Sequence, residues 1–562
     1  MRDTRRPAVS GTAPDLVFTG GPVLTMDPAR PRTEALAVRG GTIAAVGGRD
    51  EVLALRGPRT EVVDLAGRAL LPGFVEAHGH PTMMALAVAP PAVDVRPFTV
   101  PAGADVHARI RAAVAAAPGE PVCAYGIDPL LQRDLPIPTR RALDALCPGA
   151  PLVVVSNSGH AAWANTAALR AAGITRDTPD PAGARFLRDA DGEPTGEAHE
   201  GGAVEALLWV VAGDRVRPER LAASLDWAYA EHARVGITTA ADMSTEPGFV
   251  PALRAAAARP DAALRVRSYL IGTPELAADP DRRTPFPGHA PAEELFGVSG
   301  VKLWAEGTAF QGTIATSFPF LDSAATRAME AIRCAHAPMN YTPEQLAGLV
   351  AAFTAQGYPM ACHVHGDVTF EAVLDAYAKA GADDPGRLRA MRPRMEHCGA
   401  VTPDQYRRAA ELGATVSLFM DHIRWWGDVL ADDLFGAEIT DRWMAVRSAW
   451  DAGHRVSLHN DGVCSPTDPL ASVATALTRR TPASGRVHGT TEVLTLDEAL
   501  RAVTTNAAWQ LHLDEEIGML RPGMRADLTV LARDPYAVPP ELLPDEAAVT
   551  ATYLGGRPTW TE

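Results

Sequence analysis

The residues of this chain best suited to chemistry stand where apolar runs end. One such run closes in Glu76-Ala77-His78-Gly79-His80. In extended backbone, residues two apart point the same way, so His78 and His80 can grip one ion from one face. A second run, Gly300-Val301-Lys302-Leu303-Trp304, buries a lysine. An unpaired charged amine there costs several kcal/mol, about as much as other buried ions. Burial favours the neutral amine, which can add CO₂ and become a carbamate that bridges metal ions. The plainer reading is a structural ion pair, for example with Glu306. Only Lys302 and Lys379 are lysines, against fifty arginines, so a primary amine in a strand is conspicuous. Lys379 reads as solvent-facing. Three further runs end in Cys362-His363-Val364-His365, Arg394-Met395-Glu396-His397 and Leu458-His459-Asn460-Asp461. Each alone could be a satisfied core group. Together they suit one or two divalent ions with N/O ligands, zinc being the commonest.

Something must hold these ends side by side. Eight strand candidates occur in order, at 70–76, 237–242, 266–271, 301–304, 360–363, 394–397, 415–419 and 456–459. Ala-rich helical segments separate them, which is the α/β pattern. Eight parallel strands predict a (β/α)₈ barrel, and such barrels carry their sites at the strands' C-terminal ends. Residues 90–214 are too long for one crossover and read as an insertion over the barrel mouth. They hold a strand-like run at 152–155 and a helix at 139–146. Residues 15–70 and 513–562 are β-rich with paired glycines, and predict a small β-sandwich built from both termini. The barrel then spans 71–512, and residues 1–14 form a disordered tail.

The 562 residues carry 52 basic and 68 acidic side chains, a formal charge of −16. An acidic chain lacks the electrostatic footprint of a nucleic-acid binder. No apolar run is long enough to cross a membrane. The Arg-rich start has no apolar signal core, and the six cysteines form no CxxC pair. These features predict a cytoplasmic protein with reduced thiols.

The motif Leu71-Pro72-Gly73-Phe74-Val75-Glu76-Ala77-His78-Gly79-His80 resembles the first strand of the amidohydrolase superfamily. Asn157-Ser158-Gly159-His160, His363-Val364-His365-Gly366-Asp367, Met395-Glu396-His397 and Leu458-His459-Asn460-Asp461 resemble its YtcJ-like branch, amidohydrolase family 3. That branch includes the N-substituted formamide deformylases. Gly518 to Leu528 resembles the return into the sandwich. The resemblance implies metal ligation by His78, His80, carboxylated Lys302, His363, His397 and Asp461. Asp461 would also shuttle protons. One departure is Glu306-Gly307-Thr308, where the family usually has Asp-Gly-Ser.

The reaction implied is metal-assisted hydrolysis of a non-peptide C–N bond in a linear amide or N-substituted formamide. The ion lowers the pKa of water towards about 7, and Asp461 carries the proton to the leaving nitrogen. A cyclic-amide hydrolase or ring deaminase would use the same site. A silent scaffold would lack ligands, and here every position is filled. His422, in His-x-x-x-Trp-Gly-Asp, is read as a substrate or oxyanion contact. His160 either faces the site or is a hydrogen-bonded loop histidine, while His365 and His459 adjoin ligands. The expected partner is a small amide-like molecule, with a homodimer as the assembly.

Overall fold

The computed structural model describes residues 13–90, 92–181, 183–278, 286, 288–329, 331 and 339–562. Most of the disordered-tail expectation, and Cys334, fall outside these residues.

Eight parallel strands, in chain order, form the central sheet. They are Phe74–Gly79, Ile237–Thr245, Arg265–Ile271, Phe296–Trp304, Met360–Val364, Arg394–His397, Thr415–Leu418 and Ser457–Leu458. We number them strands one to eight. Their residues are almost all buried, as a sheet wrapped by helices requires. Among the described residues, strands eight and one share no ladder. Side chain and loop close that seam instead. The Asn460 N–H donates to Glu76 Oε1 at 2.8 Å, and the His80 N–H to the Gly462 carbonyl at 2.7 Å.

The expected first strand, 70–76, is two strands. Ala69–Pro72 pairs with Leu528–Leu531 in the terminal sheet, and Phe74–Gly79 belongs to the barrel. The chain crosses between them at Gly73. A Cβ there would lie 2.2 Å from Thr238 Oγ1, so only glycine lets the two layers approach. The boundary drawn after residue 70 therefore falls inside a strand of the terminal sheet.

Both termini do share one domain. Its strands form a single hydrogen-bonded eight-stranded sheet, joined by the pairing of Ala69–Pro72 with Leu528–Leu531. Phe18, Leu36, Leu70, Leu528 and Tyr553 form its core. Arg265 locks this sheet to the barrel, donating to Thr239 Oγ1 at 2.8 Å and pairing with Asp527.

The insertion is richer than its sequence suggests. It holds a mixed sheet of six strands, not one run. Short strands with few residues give little periodicity to read. The helix expected at 139–146 is Arg140–Leu146, capped by Thr139. Hydrogen bonds tie the insertion to the barrel, two of them short. Asn157 Nδ2 donates to the Cys464 carbonyl at 2.6 Å, and Trp426 Nε1 donates to Asp128 at 2.8 Å. Among the described residues, no helix is long and apolar enough to cross a membrane. The five described cysteines are unpaired and buried.

Candidate active site

Strand ends converge at one mouth of the barrel. His78 and His80 leave strand one, Lys302 strand four, His363 strand five and His397 strand six, while Asp461 follows strand eight. All are buried except His80, which is partly so. His78 Nε2 lies 3.4 Å from Asp461 Oδ1 and 3.3 Å from Lys302 Nζ. His80 Nε2 lies 3.1 Å from Asp461 Oδ1. The rings of His363 and His397 stand 4.5 Å apart, and those of His78 and His397 4.6 Å. The structure thus gathers the six expected ligand residues into one cluster.

The backbone is bent to do this. His397, Cys398, Asp461 and Ser244 all have positive φ, at 70°, 60°, 50° and 76°. Such values in non-glycine residues concentrate where function over-determines the chain.

Orientation comes from partners behind the ligands. His78 Nδ1 donates to Glu396 Oε2 at 2.6 Å, which leaves its Nε2 lone pair facing the cluster. Arg394 grips Glu396 with two N–H groups, at 2.7 and 3.0 Å. Such carboxylate–histidine pairs fix tautomer and ring angle. His363 Nε2 donates to the Gly307 carbonyl at 2.7 Å. Sequence reasoning quoted Glu396 and Arg394 but gave them no role. A charged pair spaced by one residue inside a strand was the available signal.

Glu306 is not the partner of Lys302. Its carboxylate accepts from the N–H groups of Gly366 and Ala315, each at 2.7 Å, and from the Thr369 hydroxyl at 2.7 Å. It holds the loop after strand five. Burial pushes its pKa up to about 7 against those donors. Asp421 acts similarly, accepting from Ser465 and Asn460 to fix the loop after strand eight.

Burial also sets the protonation of the site. It holds His78, His363, His365 and His397 well below the usual imidazole range, aided by the neighbouring positive groups. Neutral imidazole is the metal-ligating form. Burial brings Lys302 down to about 8. Asp461 stays below the ordinary carboxyl range, because His80, His459 and Lys302 outweigh its burial. His160 differs. Burial opposes its protonation, but Glu200 at 2.8 Å prevails and raises its pKa.

Several buried nitrogens are orphans. Among the described residues, Nδ1 of His365, Nδ1 of His397 and both nitrogens of His459 find no hydrogen-bond partner. Buried polar atoms are seldom left so. Ligand atoms of His363, His365 and His397 lie within 4.8 Å of one another, and so do those of His78, His397 and Asp461. Two overlapping N/O sets sharing His397 fit divalent metal. Of the expected second-rank residues, His365 is thus close enough to join a ligand set. His459 stacks on His78 at 4.6 Å.

Two cavities meet at the cluster. The larger, about 220 Å³, reaches up into the insertion between Met83, Leu86, Val204, Leu208, Trp209 and Phe249. The smaller, about 40 Å³, lies between Asn157, Phe310, His422 and Trp426. Ser158, His160, His363, Asp461 and Cys464 line both. Trp443 Nε1 donates to His422 Nδ1 at 3.2 Å, so the neutral ring carries its proton on Nε2. Burial holds the His422 pKa down to about 3, which keeps it neutral. Trp304 lines the larger cavity, whereas Trp425 packs on Phe98 and Met84 belongs to the core.

Residues 61–560 match the amidohydrolase family. The chain is 29% identical to the N-substituted formamide deformylase of Arthrobacter pascens, over 96% of this chain and 97% of that one. It is 26% identical to the putative amidohydrolase YtcJ of Bacillus subtilis, over 94% and 96%. Its fold is similar to that of an uncharacterized metal-dependent hydrolase from Pyrococcus horikoshii, at a TM-score of 0.72 and 20% identity. That likeness covers 93% of this chain and 99% of the other. The chain belongs to the amidohydrolase family and is a metal-dependent hydrolase acting on carbon–nitrogen bonds.

Proposed function

We propose that this hydrolase cleaves linear amides with a small acyl group and an apolar substituent on nitrogen, N-substituted formamides above all. The supporting observation is the pair of unequal cavities that meet at the strand-end cluster. The small one suits a formyl or acetyl group, and the large apolar one suits the amine side. The 29% identity to a formamide deformylase points the same way.

In this reading His78, His80, Lys302, His363, His397 and Asp461 hold one or two divalent ions, zinc being the first choice for such ligands. Carboxylation of Lys302 would turn an amine into a bridging oxygen donor. A divalent ion held there acidifies water and polarises the scissile carbonyl. The protein supplies the rest. Asp461 Oδ1 is close to both His78 and His80, so it can accept the proton of attacking water and pass it to the leaving nitrogen. His422 offers its Nε2 proton to the carbonyl oxygen from the small cavity. Glu396 and Arg394 keep His78 in the ligating tautomer.

The test is product analysis on purified, metal-replete protein with a panel of N-alkylformamides, acetamides and cyclic amides. Formate or acetate together with the free amine is the expected result. Aminated ring heterocycles are assayed beside the panel, and release of ammonia from these, with no formate from the formamides, would replace this reading by the deaminase one.

A further inference from the structure

The insertion aims one polar device at the cluster. His160 lies in the turn between inserted strands Leu152–Ser156 and Ala161–Ala164. Its ring stands 4.9 Å from that of His363 and lines both cavities at their junction. Its Nδ1 donates to Glu200 Oε2 at 2.8 Å. Among the described residues, only Nδ1 of its two ring nitrogens is hydrogen-bonded, which leaves Nε2 free for a molecule at the junction.

Glu200 holds that ring from an unusual backbone position. Its φ is 65° and its ψ is 164°, a region that belongs almost entirely to glycine. The surroundings are shaped to admit its carboxylate. A Cβ on Gly307 would come within 2.4 Å of Glu200 Oε1. The same Gly307 offers its carbonyl to His363. The Glu200 N–H donates to the His160 carbonyl at 2.9 Å, a bond that needs no side chain. Glycine would therefore suit the backbone at this position better, and what glutamate adds is its grip on His160.

We propose that His160 is a catalytic residue that hydrogen-bonds the reacting amide, and that Glu200 is the positioning residue that aims it. The idea rests on the hydrolase reading above. In it both the barrel and the insertion hold the scissile group, His422 from the small cavity and His160 from the junction of the two.

The experiment compares the metal-replete parent with His160→Ala, His160→Gln and Glu200→Gly, using N-hexylformamide as probe. Metal content, melting temperature, kcat and KM are measured for each. His160→Ala should lose about 100-fold in kcat, the usual cost of one such contact. Its KM and metal content should hold, and His160→Gln should recover part of the loss. Glu200→Gly should lose about 10-fold in kcat, as a lost orienting partner does. It should melt no lower than the parent, since it relieves the backbone. A merely structural Glu200 would lower melting and activity together. Parent-like kcat in His160→Ala overturns the proposal while leaving the hydrolase reading intact. If the metal-replete parent itself cleaves none of the amides in the panel, the hydrolase reading falls and takes the proposal with it.

Discussion

The two walls of the site are built from opposite materials. The barrel wall is crowded with buried titratable groups on strand ends: His78, Lys302, His363, His397 and Asp461. The insertion wall is largely apolar, with Val204, Leu208 and Trp209 on one helix, and its few polar groups include Ser158, Glu205 and the His160–Glu200 pair. Strands fix a side chain's position closely, because the ladder holds it from both sides. That is what metal and proton chemistry need. A helix laid across the mouth can change its apolar face without disturbing the ladder. The division assigns reaction to the barrel and choice of substrate to the insertion, with the His160 pair reaching from one to the other.

The sharpest test of that division is at Asp461. Asp461→Asn keeps the shape and removes the proton acceptor. We expect kcat to fall about 10³-fold, within the usual range for a lost general base, with metal content measured by elemental analysis largely kept. Activity close to that of the parent would move the proton shuttle elsewhere, His160 being the next group to examine.

Metal dependence is next. Dialysis against a chelator should abolish turnover, and zinc should restore it. The Lys302 amine is brought down to about 8, and only the neutral amine takes up CO₂. Recovery of the stripped protein with zinc and bicarbonate should therefore speed up as pH rises through about 8. A rate independent of bicarbonate would leave Lys302 without its carboxyl group. Two ions per chain are expected if the carbamate forms, and one if it does not.

The same contrast has a pH signature. His422 on the barrel side is held near 3 against an ordinary 6.5. Protonation thus favours the unfolded chain. Its stabilising contribution is present above pH 6.5 and drains away as pH falls towards 3. His160 on the insertion side has a raised pKa. Its contribution is present below pH 6.5 and is lost as pH climbs through its folded value. In urea melts of metal-free protein, stability should fall between pH 6.5 and 5. His422→Gln should shrink that fall by about 2 kcal/mol, the linkage value for such a displacement. An undiminished slope would mean that His422 is protonated in the fold.

Sequence legibility divides along the same line. The barrel was readable because its strands are apolar runs with polar residues at their ends, so His363, His397 and Asp461 announce themselves. Glu396 was visible but silent, because its partner His78 lies on a different strand, and only the charged Arg394 two residues before it hinted at a role. Glu306 enters the sequence reading only as the alternative ion-pair partner, because sequence shows a nearby carboxylate and not the backbone and hydroxyl donors that surround it. The inserted sheet was largely hidden. Strands as short as Val93–Asp94 leave no period, and the Glu200 backbone conformation has no sequence mark at all. The break at Gly73 was likewise unseen, because both halves of the run are apolar and only the packing against Thr238 separates them.

The smallest effect is the one most specific to the insertion. Trp209 is 48% exposed at the mouth of the larger cavity and stacks on Phe249, with ring centroids 6.1 Å apart. An aromatic ring half in water and half over an apolar pocket is suited to cover a bound apolar group. Trp209→Ala should raise KM for N-hexylformamide about 5-fold, roughly 1 kcal/mol of lost contact. kcat should not change, because the ring does not reach the scissile bond. N-methylformamide, too short to extend from the cluster to the mouth, should be indifferent to the substitution. The ratio of kcat/KM for the two amides is therefore the number to follow. If both amides lose equally, the helix shapes the reacting end as well as the apolar end, and the division of labour between the walls fails at its weakest joint.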